Sequence, residues 1–218
     1  MNLENYDIQR ISSRNHKIKF KNKIYNIQKS NSAIFFDRDG VLIEDMHYIA
    51  DPKDVKILSG VKNLLKKSKN EGYLNIVISN QSGISRGLLN WNDYLKVTSK
   101  MIKLLGKESH IDAIYANSNS PNEIFFEGSW RKPSPNMILE AVKEFNIDLK
   151  KSFLVGDRFS DLLSAKNAGL EKFVHVLTGH GEKERESVLN NFRKDYESNK
   201  LLVLDNLSGL ELNLIFEN

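Results

Sequence analysis

"AIFFDRDGVLIED", residues 33–45, decides the fold. The apolar run Ala33 to Phe36 reads as a buried strand, and it ends in Asp37-Arg38-Asp39-Gly40. Side chains alternate along extended backbone, so Asp37 and Asp39 can face one point while Arg38 faces elsewhere. Gly40 allows a sharp exit. Two carboxylates aimed at one point repel unless a cation or a proton separates them. A hard divalent ion such as Mg²⁺ takes carboxylate oxygens and keeps water and phosphate oxygens in its shell.

The same pattern recurs outward from this stretch. Tyr73–Ser79, Asp112–Ala116, Ser152–Gly156, Phe173–Leu177 and Leu201–Leu204 are further apolar strand candidates. Helical patterns lie between them. Val61, Leu64 and Leu65 sit at helical spacing with Gly72 as a stop. Asn90 can cap a helix running to Gly106, and Ser134 another with Pro135 at its first position. A third runs from Phe159 to Ala168 and ends at Gly169. Strands alternating with helices give an α/β fold, a doubly wound, mostly parallel sheet with helices on both faces. Ligands of such sheets bind outside the carboxyl ends of the strands.

Those strand ends carry chemistry. Tyr73–Ser79 runs into "SNQSG", Ser152–Gly156 into "GDRFSD", and "RKPSP" surrounds Ser134. Asp157 offers a third carboxylate. The set fits phosphoryl transfer with a carboxylate nucleophile.

Asp37-x-Asp39-Gly40, Ser79, Lys132 and Gly156-Asp157 with Asp161 resemble the four motifs of the haloacid dehalogenase superfamily of phosphatases. "NQSGISRG" and "WRKPSP" are closer to the D-glycero-D-manno-heptose 1,7-bisphosphate phosphatases and the related histidinol-phosphatase domains. The resemblance covers residues 33 to about 181. It implies that Asp37 attacks phosphorus and that Asp39 serves as acid, then base. It implies Mg²⁺ on Asp37, the Asp39 carbonyl and Asp157, with Asp161 either orienting the loop or serving as a helix-start acid. Ser79 and the Asn80 backbone would donate to the phosphoryl oxygens, and Lys132 would neutralise them. Gln81, Arg131 and Arg158 would contact substrate, as would Asp45, His47 and Tyr48 of a flap. The other histidines, His16, His110, His175 and His180, read as structural. Ser79 lies 42 positions after Asp37, and Lys132 53 after Ser79. Those segments leave no room for a large cap domain.

One departure bears on metals. Where the heptose-bisphosphate family usually has a zinc loop of cysteines and a histidine, this chain has "YANSNSPNEIFFEGSWRKP" and no cysteine anywhere. No zinc is expected in the protein, and packing of Ile124, Phe125, Phe126 and Trp130 is expected to order the loop. The implied substrate is a sugar phosphate, the 7-phosphate of a manno-heptose bisphosphate. Histidinol phosphate, a nucleic-acid 3′-phosphate and a non-catalytic phosphate-binding role are the alternatives.

The chain has 218 residues and a net charge of +4. Residues 1–30 hold seven basic against two acidic side chains. They read as a basic extension preceding a phosphatase domain over 31–218. A solvated arm is preferred to a nucleic-acid-binding one, with a hairpin in "KIKFKNKIYNIQK" turning at Asn22-Lys23. No signal-peptide or membrane-spanning run is visible, so a cytoplasmic monomer is expected.

Overall fold

The computed structural model describes residues 3–21, 25–122 and 128–215. Among the described residues, eight strands form one sheet. They are β1 (Tyr6–Arg10), β2 (Asn15–Phe20), β3 (Ala33–Phe36), β4 (Leu74–Asn80), β5 (Ala113–Asn117), β6 (Phe153–Gly156), β7 (Phe173–Val176) and β8 (Leu201–Leu204). Their order is β1-β2-β5-β4-β3-β6-β7-β8. The six strands from β5 to β8 in that order are parallel, and β2 joins β5 antiparallel. The helices are α1 (Val61–Asn70), α2 (Ser82–Ser85), α3 (Trp91–Leu105), α4 (Asn136–Phe145), α5 (Phe159–Ala168), α6 (Gly181–Asn191) and α7 (Arg193–Glu197).

The period-2 pattern of β3 divides the core. Ile34 and Phe36 join one apolar cluster with residues of α1 and α3. Ala33 and Phe35 join the other, with residues of α4 and α5. Both faces of the strand are therefore covered, which is why it reads as a continuous apolar run. β3 pairs with β4 on one side and β6 on the other. The chain leaves β3 in one direction and later returns to its opposite side, which opens a crevice at the carboxyl ends of β3 and β6.

Helix starts follow local chemistry. Asn90 Oδ1 accepts from the backbone N–H groups of Asn92 (2.8 Å) and Asp93 (3.1 Å), and Asp93 reaches back to the Asn90 N–H, closing a capping box on α3. α4 begins one residue later than expected: Pro135 holds the cap position, and Ser134 Oγ accepts from Asn136 N at 3.3 Å. Between β3 and β4 lie a loop, a single 3₁₀ turn (Pro52–Asp54) and α1, with no inserted domain.

The amino-terminal segment departs from the solvated reading. β1 and β2 form a hairpin whose turn lies at residues 11–14, upstream of the expected one, and it extends the sheet beyond β5. Asn22 and Lys23, the expected turn, lie outside the described residues. Tyr6 and Ile18 are buried, and the Tyr6 hydroxyl donates to Ile111 O at 2.8 Å. Lys17 and Lys19 both reach Glu144, each at 3.0 Å. His16 stacks on Trp91 with ring centroids 3.7 Å apart. The basic residues of this segment are thus partly used to seat a strand against the parallel sheet. Among the described residues, no helix is long and apolar enough to cross a membrane.

Candidate active site

A cleft of about 430 Å³ opens at the carboxyl edge of β3, β4 and β6. Asp37 sits at its floor, on the first residue after β3, and Asp39, Asn80, Gln81, Arg131, Lys132 and Arg158 line it. The flap residues Asp45, His47 and Tyr48 form one wall. Ser79 and Asp157 are fully buried just behind this surface. The structure therefore brings all the expected site residues to one place.

Lys132 is the electrostatic centre. Its Nζ lies 2.8 Å from Asp37 Oδ1, 2.7 Å from Asp161 Oδ1 and 3.1 Å from the Ile78 carbonyl. Burial opposes its charge, but Asp161 and Asp37 more than reverse that and hold its pKa above the ordinary lysine value. The Asn80 side chain grips the backbone beneath it: Oδ1 accepts from Lys132 N at 3.0 Å and Nδ2 donates to Lys132 O at 3.2 Å. Asp37 is pushed up to about 7, first by burial, against the opposing pull of Lys132 and with help from Asp161 and Asp39.

Asp161 joins the site more fully than its sequence position suggested. Its Oδ2 accepts from Arg158 N at 3.0 Å, so it caps α5, while Oδ1 pairs with Lys132. The two readings left open by the sequence are both realised in one side chain. Arg38 differs from expectation. Instead of facing away, its guanidinium donates to Asp39 through Nε (3.1 Å) and Nη2 (2.9 Å), and Nη2 also reaches Gln81 Oε1 at 3.2 Å. Gln81 Nε2 then donates to Asp39 Oδ2 and Ser79 Oγ, both at 2.8 Å. The chain curls after Arg38, whose carbonyl accepts from Leu42 N and Ile43 N. That turn carries Arg38 out of strand register.

A cation fits this site. Oxygens of Asp37, Asp157 and Asp161 lie within 4.8 Å of one another. Lys132 serves two of these carboxylates, whereas Asp157 Oδ1 is buried with no hydrogen-bond partner. Burial first, then Asp161 and Asp37, push Asp157 well above the ordinary carboxylate range, although the His180 N–H donating at 2.8 Å opposes this. A buried, unpaired carboxylate beside two others is costly. A hard divalent ion relieves that cost. Gly40 keeps the space open: its φ is 84°, and a Cβ there would meet Asp157 Oδ2 at 2.4 Å.

Two cleft residues were missed by the sequence reading. Arg86 Nη1, on the residue that ends α2, donates to the Tyr48 hydroxyl at 2.7 Å and pins the flap. His180, read as structural, lines the cleft with Nε2 2.9 Å from Asp45 Oδ2. His175 and His110 remain internal, His175 Nε2 lying 3.0 Å from Gly181 O and His110 Nε2 3.2 Å from Asp112 Oδ1. Arg131 Nη1 donates to Asn119 O at 2.8 Å. Trp130, expected to order the Arg131 loop, is buried 5.6 Å from the Tyr115 ring. Ile124, Phe125 and Phe126 lie outside the described residues.

A family model described as polynucleotide kinase 3 phosphatase matches residues 32–202. A Helicobacter pylori protein named D-glycero-beta-D-manno-heptose-1,7-bisphosphate 7-phosphatase is 39% identical over 141 residues, which span 64% of this chain and 80% of that one. A protein of the same name from Haemophilus ducreyi is 36% identical over 168 residues, spanning 72% and 92%. The crystal structure of D,D-heptose 1,7-bisphosphate phosphatase from B. bronchiseptica, complexed with magnesium and phosphate, aligns with a TM-score of 0.69 at 25% identity, covering 86% of this chain and 99% of that one.

Proposed function

The chain belongs to the polynucleotide kinase 3 phosphatase family, within the haloacid dehalogenase superfamily, and hydrolyses a phosphomonoester; we propose that its substrate is D-glycero-D-manno-heptose 1,7-bisphosphate and that it removes the 7-phosphate. The observation that carries this reading is the pairing of a 39% identical relative of that name with a cleft holding Asp37 and Lys132 at its floor and arginines at its walls.

In this reading Asp37 attacks phosphorus, the P–O bond to the sugar breaks, and an aspartyl-phosphate forms. Asp39 gives a proton to the leaving sugar oxygen. It then takes one from the water that attacks the aspartyl-phosphate, releasing phosphate and restoring Asp37. Arg38 and Gln81 hold Asp39 in place with three N–H donors. Ser79 accepts from Gln81, so its own hydroxyl proton remains for a phosphoryl oxygen. Lys132 already touches the nucleophile and is placed to neutralise charge building on phosphorus; one such donor is worth about 10²–10³ in rate. Arg131 and Arg158 grip the distal part of the substrate, since guanidinium groups bind phosphate bidentately. Asp37, the Asp39 carbonyl and Asp157 would hold Mg²⁺, which supplies charge neutralisation at the transferred phosphoryl group. The Asn117–Trp130 loop holds no zinc, because it lacks thiol and imidazole ligands.

A nucleic-acid 3′-phosphate is the second reading, favoured by the family description. Against it, Lys17 and Lys19 are engaged by Glu144 and the basic segment is built into the sheet. A phosphate-release screen over heptose 1,7-bisphosphate, histidinol phosphate and a 3′-phosphorylated oligonucleotide tests both. Heptose bisphosphate should lead by at least tenfold in kcat/KM. A lead for the oligonucleotide would replace this reading with the second.

A further inference from the structure

The flap brings a second, chemically different ligand set to the cleft. His180 Nε2 lies 2.9 Å from Asp45 Oδ2, and His47 Nδ1 lies 3.7 Å from Asp45 Oδ1. One donor atom from each of the three falls within 4.8 Å of the others. We propose that Asp45, His47 and His180 form a binding site for a divalent transition ion of the zinc class at the mouth of the cleft.

The donor set selects the ion. Two imidazoles and one carboxylate suit zinc, nickel or copper, whereas Mg²⁺ takes oxygen ligands and keeps its waters. Asp37, Asp157 and Asp161 offer oxygens only, so the two groups would sort two kinds of cation. Tetrahedral zinc with bonds of about 2.0–2.2 Å spaces its donors roughly 3.2–3.6 Å apart. The two contacts to Asp45, 2.9 Å to Oδ2 and 3.7 Å to Oδ1, fall on either side of that range, and all three donors lie within 4.8 Å of one another, so rotation of the Asp45 carboxylate and the exposed His47 ring would draw them around one ion.

The frame holds the donors from several sides. Asp45 Oδ1 accepts from His47 N at 3.0 Å, which fixes the flap turn where His47 adopts a left-handed φ of 49°. His180 comes from the loop after β7, and its backbone N–H donates to Asp157 Oδ2 at 2.8 Å. One residue thus touches the acidic cluster through its backbone and the flap site through its ring. Three protein ligands leave a position open, as in zinc sites that engage an exogenous oxygen rather than closed structural ones. The His47 side chain is 76% exposed, against 22% for His180 and 15% for Asp45, so the open side faces solvent and the cleft. An anionic oxygen of a bound substrate can fill it.

The expectation of a zinc-free chain rests on the missing thiols of the Asn117–Trp130 segment, whereas these three ligands come from the flap and the loop after β7. The site also does not rest on the heptose reading, and its test needs no substrate. Metal-free protein is titrated with Zn²⁺ by calorimetry in excess Mg²⁺, which keeps the acidic cluster occupied. Co²⁺ serves as a coloured stand-in whose visible absorption reports its ligand geometry. The wild-type protein should bind one Zn²⁺ per chain. His47→Gln and His180→Gln should each weaken that binding at least tenfold and remove the Co²⁺ absorption. His47 is the safer variant, because its exposed ring leaves the core untouched. The other three histidines are buried and offer little competition. Failure of the wild-type chain to bind Zn²⁺ in Mg²⁺, or affinity unchanged within tenfold in both variants, overturns the site.

Discussion

Replacing Asp37 by asparagine should stabilise the metal-free protein at neutral pH and leave it unchanged in acid. The reason is the buried position of Asp37, which raises its pKa from 3.8 to about 7 in the folded chain. A group with a raised folded pKa keeps its full contribution below the unfolded value. It loses that contribution as pH rises toward the folded value. Between about pH 4 and 7 the unfolded chain ionises Asp37 freely while the folded chain resists. Three pKa units at 1.36 kcal/mol each amount to about 4 kcal/mol lost across this window. For a chain of this size that is about 8–16 °C in Tm. Asparagine has nothing to ionise, so it escapes the loss. Thermal unfolding of both proteins in a chelator, followed by circular dichroism from pH 4 to pH 8, gives the difference directly, because other titrating groups largely cancel. Asp37→Asn should match wild type near pH 4 and exceed it by several degrees at pH 8. Adding Mg²⁺ at pH 8 should raise the wild type, by about 2.7 kcal/mol at a hundred times Kd. A wild-type protein that matches or exceeds the variant at pH 8 without metal would refute the burial argument.

Three further outcomes follow from named contacts. Lys132→Met should lower kcat by at least about 10²–10³, measured by phosphate release, and should destabilise the fold by about 3–5 kcal/mol, since Asp37 and Asp161 lose their shared cation. Gly40→Ala should cost activity and Mg²⁺ affinity, read by kinetics and calorimetry, because the new Cβ would sit 2.4 Å from Asp157 Oδ2 at a backbone φ of 84°. Deleting residues 3–21 should lower Tm by well over 5 °C, roughly the effect of losing one or two buried side chains, because Tyr6 and Ile18 leave the core and β5 loses a neighbour; unchanged melting would mean that the hairpin does not support the sheet.

The parts of this fold that were legible from sequence depend on local or period-2 signals. Asp37-x-Asp39-Gly40 announced itself because a buried strand must end before two carboxylates. Asn90, Gly106 and Gly169 marked helix ends through capping chemistry that acts within a turn. α6 carries no such signal: its first half, Glu182 to Glu186, is charged, and only Gly181 and Val188 are buried, so it has no apolar stripe. β2 looks solvated in sequence because its lysines, Lys17 and Lys19, neutralise a partner, Glu144, far along the chain. His180 escaped for the same reason. Its contacts with Asp45 and Asp157 exist only once β3, β6 and β7 align their ends. Arg38 was placed on the wrong side because alternation holds in a strand and fails in the turn that follows it.

Attack of Asp37 on the 7-phosphate of heptose 1,7-bisphosphate leaves a covalent aspartyl-phosphate that can be trapped. The most direct test is to quench the reacting enzyme with hydroxylamine, which converts an aspartyl-phosphate to a hydroxamate, and to map the product by peptide mass spectrometry. A hydroxamate is expected on Asp37 alone, present with substrate, absent without it and absent in Asp37→Asn. Steady phosphate release with no modified Asp37, or with the label on another residue, would contradict it.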